Sequence, residues 1–386
     1  MLPEDDVRPV TWHDGAVRII DQTALPGRLT YLDLGTVEEL IGAIQRLAVR
    51  GAPALGVAGA YGVALAVLTN RDRESIARLR AARPTAVNLA AGVDRAAARI
   101  EDGFEAVLTE AHAVLEEDLA ANRRLSELGA DWLLRRIGRA GVGDGDRDRG
   151  GHGAGTGAGT GNGTGTGAGT GAGAGPGADE RRPLRLLTHC NAGALATAGW
   201  GTALGVVRAL HARGLVEVVY VDETRPLLQG SRLTAWELAR LGIPHLVQAD
   251  GAAAGTIVSG SVDAAIVGAD RIAANGDTAN KVGTLGVALA CAHADIPFLV
   301  AAPTSTVDLD TASGADIHVE LRDEAEVLGW PGAVGRVTPQ ESRGHNPAFD
   351  VTPAGLVSAL TTERGVVEIG RGELPGTLWD TGTTSH

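Results

Sequence analysis

The sequence is poor in aromatic residues, cysteine and positive charge, and each shortage excludes a class of protein. Aromatic residues make up 3% of the 386 residues, so a core must be built from Ala, Val, Leu and Ile. Two cysteines in so long a chain do not form a disulfide framework, and a reducing cytoplasm is the expected location. The formal net charge of −13 argues against nucleic acid as the main partner, because no basic face would offset phosphate repulsion.

The common short motifs of metal and nucleotide sites are also absent from the sequence. The ten histidines show no H-x-x-x-H or H-E-x-x-H spacing, and the two cysteines lie far apart. Neither a Walker P-loop nor a G-x-S-x-G motif occurs. We therefore expect no metal and no cofactor. The first residues lack a basic and then an apolar region, so no signal peptide is expected.

One uncharged stretch, residues 51–70, is about as long as a membrane-spanning helix. It consists mostly of Ala and Gly, which are only weakly apolar. We therefore expect a buried helix of a globular domain and no membrane partner.

The first 140 residues predict a small strand-rich entry followed by helices. Asp14-Gly15 indicates a hairpin. Thr36 and Glu39 have the spacing of a capping box, which predicts that a helix begins at Val37. Further helices are predicted over 74–79, 88–107 and 111–134.

From residue 184 onward the pattern alternates strand and helix. Strands are predicted at 184–188, 216–221, 245–249, 262–267 and 298–302, and helices at 195–213, 233–241, 252–259 and 283–294. The strands are largely apolar, as in parallel sheets that are buried on both faces. The predicted fold class is therefore α/β, with a Rossmann-like C-terminal domain and a mainly helical N-terminal domain.

The predicted domain boundaries follow from these patterns. Residues 1–140 form the N-terminal domain and residues 184–372 the Rossmann-like catalytic domain, and residues 373–386 are a loose tail. Residues 141–183 are a Gly-rich insertion, in which every odd position from 151 to 177 is Gly. Such a repeat buries almost nothing and loses much backbone entropy on ordering, which favours a disordered linker.

Two candidate catalytic groups follow predicted strands. Cys190 comes directly after the strand at 184–188, and Asp270 follows the strand at 262–267. Ligands of such sheets bind beyond the carboxyl ends of the strands, so this thiol and this carboxylate are a candidate acid–base pair. Two plainer interpretations stay open, a small buried Cys190 and an Asp270 that caps a helix or forms an ion pair. His189 is expected to be structural, because neighbouring side chains on a strand point to opposite faces.

Four further segments carry candidate ligand contacts. Helix starts favour anions, and residues 50–52 and 280–283 have basic residues and glycine at predicted helix starts. Arg83 could add positive charge. In the polar loop 222–230, Gln229 is a candidate ligand contact, whereas Glu223 and Arg225 are expected to tie the loop together. Cys291 lies in an apolar helix and is expected to belong to the core.

Several long motifs occur in the order typical of one enzyme family. They include Thr188-His189-Cys190-Asn191-Ala192-Gly193 and the segments 50–54, 83–89, 222–230, 268–272 and 346–353. With these motifs the sequence resembles the methylthioribose-1-phosphate isomerases, which are related to the α, β and δ subunits of translation initiation factor 2B. The resemblance covers nearly the whole chain outside the Gly repeat and the last dozen residues.

The resemblance implies an aldose–ketose isomerase of L-methionine salvage that converts 5-methylthio-D-ribose 1-phosphate to 5-methylthio-D-ribulose 1-phosphate. It also implies a homodimer that needs no metal or nucleotide. By motif, Cys190 and Asp270 take the catalytic positions. The substrate positions fall on Arg50, Gly51, Ala52, Arg83, Gln229, Asn280 and Lys281.

Two other functions stay open. A ribose-1,5-bisphosphate isomerase would be expected to keep the same cysteine and aspartate. A non-catalytic regulatory subunit, like those of initiation factor 2B, would share the fold without needing this pair.

Overall fold

The computed structural model describes residues 7–69, 73–83, 86–143, 182–330 and 335–379. Its helices are α1 Val37–Gln45, α2 Ala52–Thr69, α3 Arg73–Arg80, α4 Val87–Ala97, α5 Phe104–Gly143, α6 Ala203–Ala212, α7 Ala235–Arg240, α8 Ala253–Val258, α9 Thr284–Ala294 and α10 Ala325–Leu328. Its strands are β1 Val10–His13, β2 Ala16–Ile20, β3 Tyr31–Leu34, β4 Leu184–Thr188, β5 Val216–Asp222, β6 His245–Gln248, β7 Ala264–Val267, β8 Arg271–Ala273, β9 Thr278–Lys281, β10 Phe298–Ala301, β11 Val307–Asp308, β12 Phe349–Thr352, β13 Ala359–Thr362 and β14 Gly365–Val367.

The N-terminal unit begins with the predicted hairpin. Asp14 and Gly15 both adopt positive φ and connect β1 to β2, and β3 completes a three-stranded antiparallel sheet. The predicted capping box at the start of α1 is also confirmed. The Thr36 hydroxyl accepts from the backbone N–H of Glu39, whose carboxylate accepts from the backbone N–H of Thr36.

Helix α2 is the apolar stretch of membrane-spanning length. It is the one described helix that is long and apolar enough to cross a membrane, and 83% of it is buried inside the protein. It packs against α4 and α5 in the core of the N-terminal unit, as expected for the buried helix of a globular domain.

The predicted helix over 88–107 is wrong at its end. Helix α4 stops at Ala97, a 3-10 turn covers Ile100–Asp102, and α5 begins at Phe104. Gly103 between them has a φ of +95°, which lies outside the region of a right-handed helix.

Helix α5 joins the two halves of the molecule. Its first part, which includes Val107 and Leu119, packs in the N-terminal core. Its second part, which includes Leu125 and Leu133, packs against the C-terminal sheet. One continuous helix therefore belongs to both cores. Residue 140, the predicted end of the N-terminal domain, falls near the end of this helix.

The C-terminal unit contains a seven-stranded sheet of order β14-β13-β10-β7-β4-β5-β6. All its strands are parallel except β14. In chain order, the six parallel strands have the 3-2-1-4-5-6 arrangement of a Rossmann fold. The strand order reverses between β4 and β7, and this switch point is where ligands of such sheets bind.

A second sheet of four short strands, β11-β8-β9-β12, was not predicted. It starts at Arg271, directly after Asp270, and its strand β9 ends at Lys281. The predicted helix over 195–213 is also too long. Gly193 and Gly201 pair as an antiparallel bridge, so the chain between them forms a loop and α6 begins only at Ala203.

Most of the Gly-rich insertion, residues 144–181, lies outside the described residues, so its order stays a prediction. Part of the predicted loose tail is packed. Residues Pro375–Trp379 form a 3-10 helix, and Leu378 is buried in the core of the C-terminal unit.

Candidate active site

One pocket at the switch point is lined by all nine residues proposed from the sequence. They are Arg50, Gly51, Ala52, Arg83, Cys190, Gln229, Asp270, Asn280 and Lys281. Cys190 follows β4 and Asp270 follows β7, so the two strands that flank the switch point supply the candidate acid–base pair. The helical N-terminal unit supplies the side chains of Arg50 and Arg83. The pocket therefore lies between the two units.

Cys190 is held in a strained backbone conformation. Its φ of +66° lies in the left-handed region, which costs a non-glycine residue about 1–3 kcal/mol. Its backbone N–H donates to the Thr224 hydroxyl (2.9 Å), and the Thr234 hydroxyl donates to its carbonyl oxygen (2.6 Å). Burial raises the pKa of the thiol, an effect that the nearby Arg50 and Lys281 oppose.

The loop after Cys190 is fixed by a buried carboxylate that the sequence analysis missed. Glu237 accepts from the Asn191 side chain (2.8 Å) and from the backbone N–H groups of Ala194 (2.6 Å) and Leu195 (3.3 Å). Burial raises the pKa of Glu237. No local signal in the sequence of α7 marks this residue, because its partners lie more than 40 positions earlier.

Asp270 lies in the pocket wall with its backbone N–H bonded to the Ala279 carbonyl oxygen (2.9 Å). Burial raises the pKa of its carboxyl group, whereas Lys281, Arg50 and Arg83 act to lower it. The effect of burial is the largest, so the pKa of Asp270 lies above its ordinary value.

Arg50 and Gln229 present unused hydrogen-bonding atoms. One nitrogen of Arg50, Nη2, donates to the Asn191 carbonyl oxygen (2.6 Å) and links the two units. Among the described residues, the buried Arg50 Nη1 and Gln229 Oε1 have no hydrogen-bond partner. Buried polar atoms are normally paired, so a donor and an acceptor that line one pocket point to a polar ligand.

The start of α2 also faces the pocket. Gly51 has a φ of +97°, and a Cβ atom there would lie 2.3 Å from the Ala196 carbonyl oxygen. Only glycine therefore lets α2 begin so close to the loop after Cys190. The first backbone N–H groups of the helix and the Arg50 side chain together form a site suited to a phosphate group.

At the second predicted helix start, the backbone N–H groups are occupied by a carboxylate of the chain and do not face a ligand site. The N–H groups of Gly283 and Leu285, at the start of α9, donate to the Asp350 carboxylate (2.7 and 3.1 Å). This part of the prediction is wrong, because a carboxylate of the chain already caps the helix. The side chains of Asn280 and Lys281 nevertheless line the pocket.

Lys281 is anchored by the neighbouring strand β12. Its ammonium group donates to the Ala348 carbonyl oxygen (2.6 Å) and lies 4.7 Å from the centre of the Phe349 ring. Burial lowers the pKa of this ammonium group, and the nearby Cys190 and Asp270 act to raise it.

Arg322 is a basic residue of the pocket wall that the sequence analysis missed. Its guanidinium group pairs with Glu326 (2.5 and 2.9 Å) and lies 3.5 Å from Glu320. Glu320 also lies 3.9 Å from Arg83, so it stands between two guanidinium groups. The pattern Arg-x-x-x-Glu was the only available signal, and it is common on surfaces.

His189 is structural, as predicted, and is fully buried. Its Nδ1 lies 3.0 Å from Asp222 Oδ2 and its Nε2 lies 2.8 Å from the Val282 carbonyl oxygen. The ring thereby ties β4 to the end of β5 and to the segment after Lys281. Burial alone would lower its pKa, but the hydrogen bond and charge of Asp222 leave the pKa raised.

His189, Asp222 and Asp250 form the one cluster within the described ranges with metal-binding side chains close enough to hold an ion. Each is already engaged. Asp222 Oδ1 accepts from Gln248, and both oxygens of Asp250 accept from the backbone N–H groups of Thr224 and Arg225. The cluster is therefore satisfied by the chain itself.

Two lesser predictions are confirmed. Arg225 donates to the Pro226 carbonyl oxygen within its own loop (3.1 Å). It also ties the loop to the end of α10, because it donates to the carbonyl oxygens of Val327 and Gly329 (both 3.1 Å) and lies over the Trp330 ring. Cys291 is completely buried in the core, and burial raises its pKa to about 12.

Comparisons with known proteins agree with this architecture. The model of the Initiation factor 2 subunit family matches residues 179–369. Among solved structures, 5-methylthioribose 1-phosphate isomerase from Pyrococcus horikoshii is 34% identical with a TM-score of 0.78, covering 97% of this chain and 96% of its own. The translation initiation factor eIF-2B subunit delta from A. fulgidus is 37% identical with a TM-score of 0.74, covering 94% and 96%. Fold and site thus define a Rossmann-like protein of the initiation factor 2 subunit class.

Curated relatives narrow this class. The methylthioribose-1-phosphate isomerase of Anaeromyxobacter dehalogenans is 46% identical over 376 residues, which cover 95% of this chain and 96% of that protein. A probable bifunctional methylthioribose-1-phosphate isomerase/methylthioribulose-1-phosphate dehydratase from Nocardia farcinica is also 46% identical, but the match spans 60% of its length. The chain belongs to the methylthioribose-1-phosphate isomerase family.

Proposed function

We propose that this protein isomerises 5-methylthio-D-ribose 1-phosphate to 5-methylthio-D-ribulose 1-phosphate in L-methionine salvage. One observation carries the proposal. A thiol and a carboxyl group of raised pKa line one pocket at the switch point, together with Arg50, Arg83 and Lys281. Relatives that are 46% identical over nearly the whole chain bear the name of this activity.

The phosphate group of the substrate fits the side of the pocket where α2 begins. Arg50 Nη1 is a buried donor with no partner among the described residues, and Gly51 and Ala52 at the start of α2 line the same pocket. Arg83 adds a second guanidinium group to the lining of the pocket. Helix N-termini and arginine forks are both suited to phosphate oxygens.

Asp270 is the proposed acid for ring opening. The anomeric carbon of the substrate carries phosphate, so the ring cannot open by loss of a hydroxyl proton. Protonation of the ring oxygen by Asp270 lets the bond between C1 and that oxygen break, which leaves an electron-poor C1 and a new hydroxyl group. Burial raises the pKa of Asp270, which favours the protonated form that this step needs, and a closed pocket protects the phosphate ester from water.

The hydrogen on C2 must then move to C1, and the 2-hydroxyl group must lose its proton to give the ketone. In one route Cys190 takes the C2 hydrogen as a proton and returns a proton to C1 through an enediol-like state. In the other route the hydrogen moves directly as a hydride, and Cys190 controls access to the reacting carbons. The two routes differ in whether hydrogen from the solvent reaches C1.

We also propose that the protein works as a cytoplasmic homodimer without metal or nucleotide, which the resemblance to its family supports. Light scattering on the purified protein tests the dimer. A mass equal to one chain would contradict it.

The function is tested by proton NMR of the purified protein with 5-methylthioribose 1-phosphate in D2O, beside ribose 1,5-bisphosphate. We expect the ketose from the first compound alone, and deuterium at C1 if the proton route operates. Conversion of only the second compound would identify a ribose-1,5-bisphosphate isomerase instead. If neither compound reacts, the regulatory-subunit alternative becomes the better interpretation.

A further inference from the structure

The only lysine of this chain lies in the pocket. Of the 34 basic side chains, Lys281 alone is not arginine. A position that needed only positive charge would be expected to hold arginine, as every other basic position does. Lysine differs from arginine in one chemical respect that matters here, since its ammonium group can lose a proton in a protein whereas a guanidinium group cannot.

The surroundings of Lys281 favour such a loss. The side chain is half-buried between β9 and β12, and its ammonium group has one hydrogen bond to a neutral partner, the Ala348 carbonyl oxygen. Charged and titratable groups face it from five other segments, and they are Cys190 after β4, Asp270 after β7, Arg50 before α2, Arg322 before α10 and Asp350 on β12. Two of these are fixed positive charges, which disfavour a third one beside them.

Lys281, at the end of β9, and Cys190, directly after β4, line the same pocket, where each shifts the pKa of the other in the opposite direction. The ammonium group lowers the pKa of the thiol, and the thiolate raises the pKa of the ammonium group. Burial opposes charge on both. Two groups coupled in this way titrate as a pair, either as thiol and amine or as thiolate and ammonium.

We propose that Lys281 is a catalytic residue that exchanges a proton with Cys190, in addition to contacting the substrate. The Cys190 S–H bond breaks, its proton joins the lone pair of the Lys281 amine, and a thiolate and an ammonium ion result. The reverse transfer restores thiol and amine. This exchange supplies the thiolate that the proton route of the proposed function needs, and to that extent the inference rests on that function.

A single lysine makes the exchange directly measurable. Reductive methylation of the whole protein with 13C-formaldehyde labels the Lys281 amine and the α-amino terminus, and 13C NMR then follows each signal against pH. Arg135→Lys, at an exposed position of α5, adds an ordinary lysine as an internal reference. We expect Lys281 to titrate below the lysine at position 135. Titration of both at the same pH would overturn the proposal.

Coupling is tested by removing each partner. Without the thiolate, Lys281 should titrate at still lower pH in Cys190→Ala. Without the ammonium group, the alkylation rate of Cys190, followed by mass spectrometry of its peptide, should rise only at higher pH in Lys281→Met. Cys291→Ala, in the buried face of α9, is the matched control and should move neither curve. Independent titration of the two groups would contradict the exchange, and none of these measurements needs substrate.

Turnover gives the last readout. Lys281→Arg keeps the charge and loses the exchange, so we expect KM to change less than threefold and kcat to fall about 100-fold or more. A wild-type kcat in this variant would show that charge alone suffices and would end the proposal. If the wild-type protein converts no sugar phosphate, the proposed function fails, while the NMR and alkylation titrations still decide on the proton exchange.

Discussion

Asp270, which lies partly buried in the pocket wall, couples folding stability to acid chemistry. Its carboxyl group is surrounded by three basic side chains, yet burial still raises its pKa. The protonated form can donate to a ring oxygen, and the ionised form weakens the fold. Acid chemistry and folding stability are therefore linked through one proton.

The variant Asp270→Asn should separate the two effects. It cannot donate a carboxyl proton, so we expect kcat to fall about 10²–10⁴-fold. In the wild type, the unfolded carboxyl group loses its proton at lower pH than the folded one. The free energy of unfolding therefore declines as pH rises from the unfolded to the folded pKa, and Asn escapes this decline. Urea denaturation at pH 5 and pH 8 should show Asp270→Asn gaining on the wild type at the higher pH.

Asp33→Asn is a control in which the ionised carboxylate is expected to stabilise the fold, the opposite of its effect at Asp270. A hydrogen bond from Arg18 lowers the pKa of this exposed aspartate, so its ionised form favours folding. The variant should lose a little stability relative to the wild type only as pH rises toward 3.8, the ordinary pKa of an aspartate, and its difference from the wild type should be the same at pH 5 and pH 8. Wild-type turnover by Asp270→Asn would rule out Asp270 as the acid.

At the scale of elements, the site depends on where α2 begins. The backbone at Gly51 has positive φ and touches the loop that follows Cys190. This contact brings the positive end of a helix dipole to the pocket. The start of α2 is thus set by a backbone conformation and not by a capping side chain.

Gly51→Ala should disturb this junction. The strained φ costs about 1–3 kcal/mol, and the new methyl group must push the Ala196 backbone away. We expect lower thermal stability and a KM about tenfold higher, because the phosphate site is displaced.

Gly42→Ala is the matched substitution inside α1, where a Cβ atom meets nothing within 4 Å. It should stabilise the protein by about 0.5–1 kcal/mol and leave KM unchanged. Equal effects of the two variants would show that the start of α2 has no special role in binding.

Elements that bury an apolar run could be predicted from the sequence, and elements made by tertiary pairing could not. Strand β4 reads Leu-Arg-Leu-Leu-Thr and was found with its observed bounds. Strand β9 reads Thr-Ala-Asn-Lys and has no alternation of apolar and polar residues. It is a strand because it pairs with β8 and β12 in the folded chain. Glu237 and Arg322 were missed for the same reason. The hydrogen-bond partners of Glu237 and the place of Arg322 in the pocket wall exist only in the folded chain.

At the scale of the whole molecule, the pocket exists only where two units meet. Arg50 and Arg83 come from the helical unit, and the candidate acid–base pair comes from the Rossmann-like unit. The units are connected by α5 and by direct contacts, such as those from Gln22 to the Leu195 carbonyl oxygen (2.8 Å) and from Arg232 to the Gln22 carbonyl oxygen (2.6 Å). The chain also connects α5 to β4 through the Gly-rich insertion.

Both cores and the pocket are built from residues outside the Gly repeat, so deletion of residues 150–178 should leave kcat and KM unchanged. The shorter connection between α5 and β4 restricts the unfolded chain more strongly, and loop-closure entropy predicts a gain in stability of about 1 kcal/mol. Steady-state kinetics and thermal denaturation of the deletion variant check both expectations.

A control that replaces the same segment with a Gly/Ser sequence of equal length should match the wild type. Loss of turnover in the deletion variant but not in the replacement variant would mean that the length of the α5–β4 connection is required. The shortened connection would then be too short to leave the two sides of the pocket aligned. Loss in both would assign a function to the repeat sequence itself.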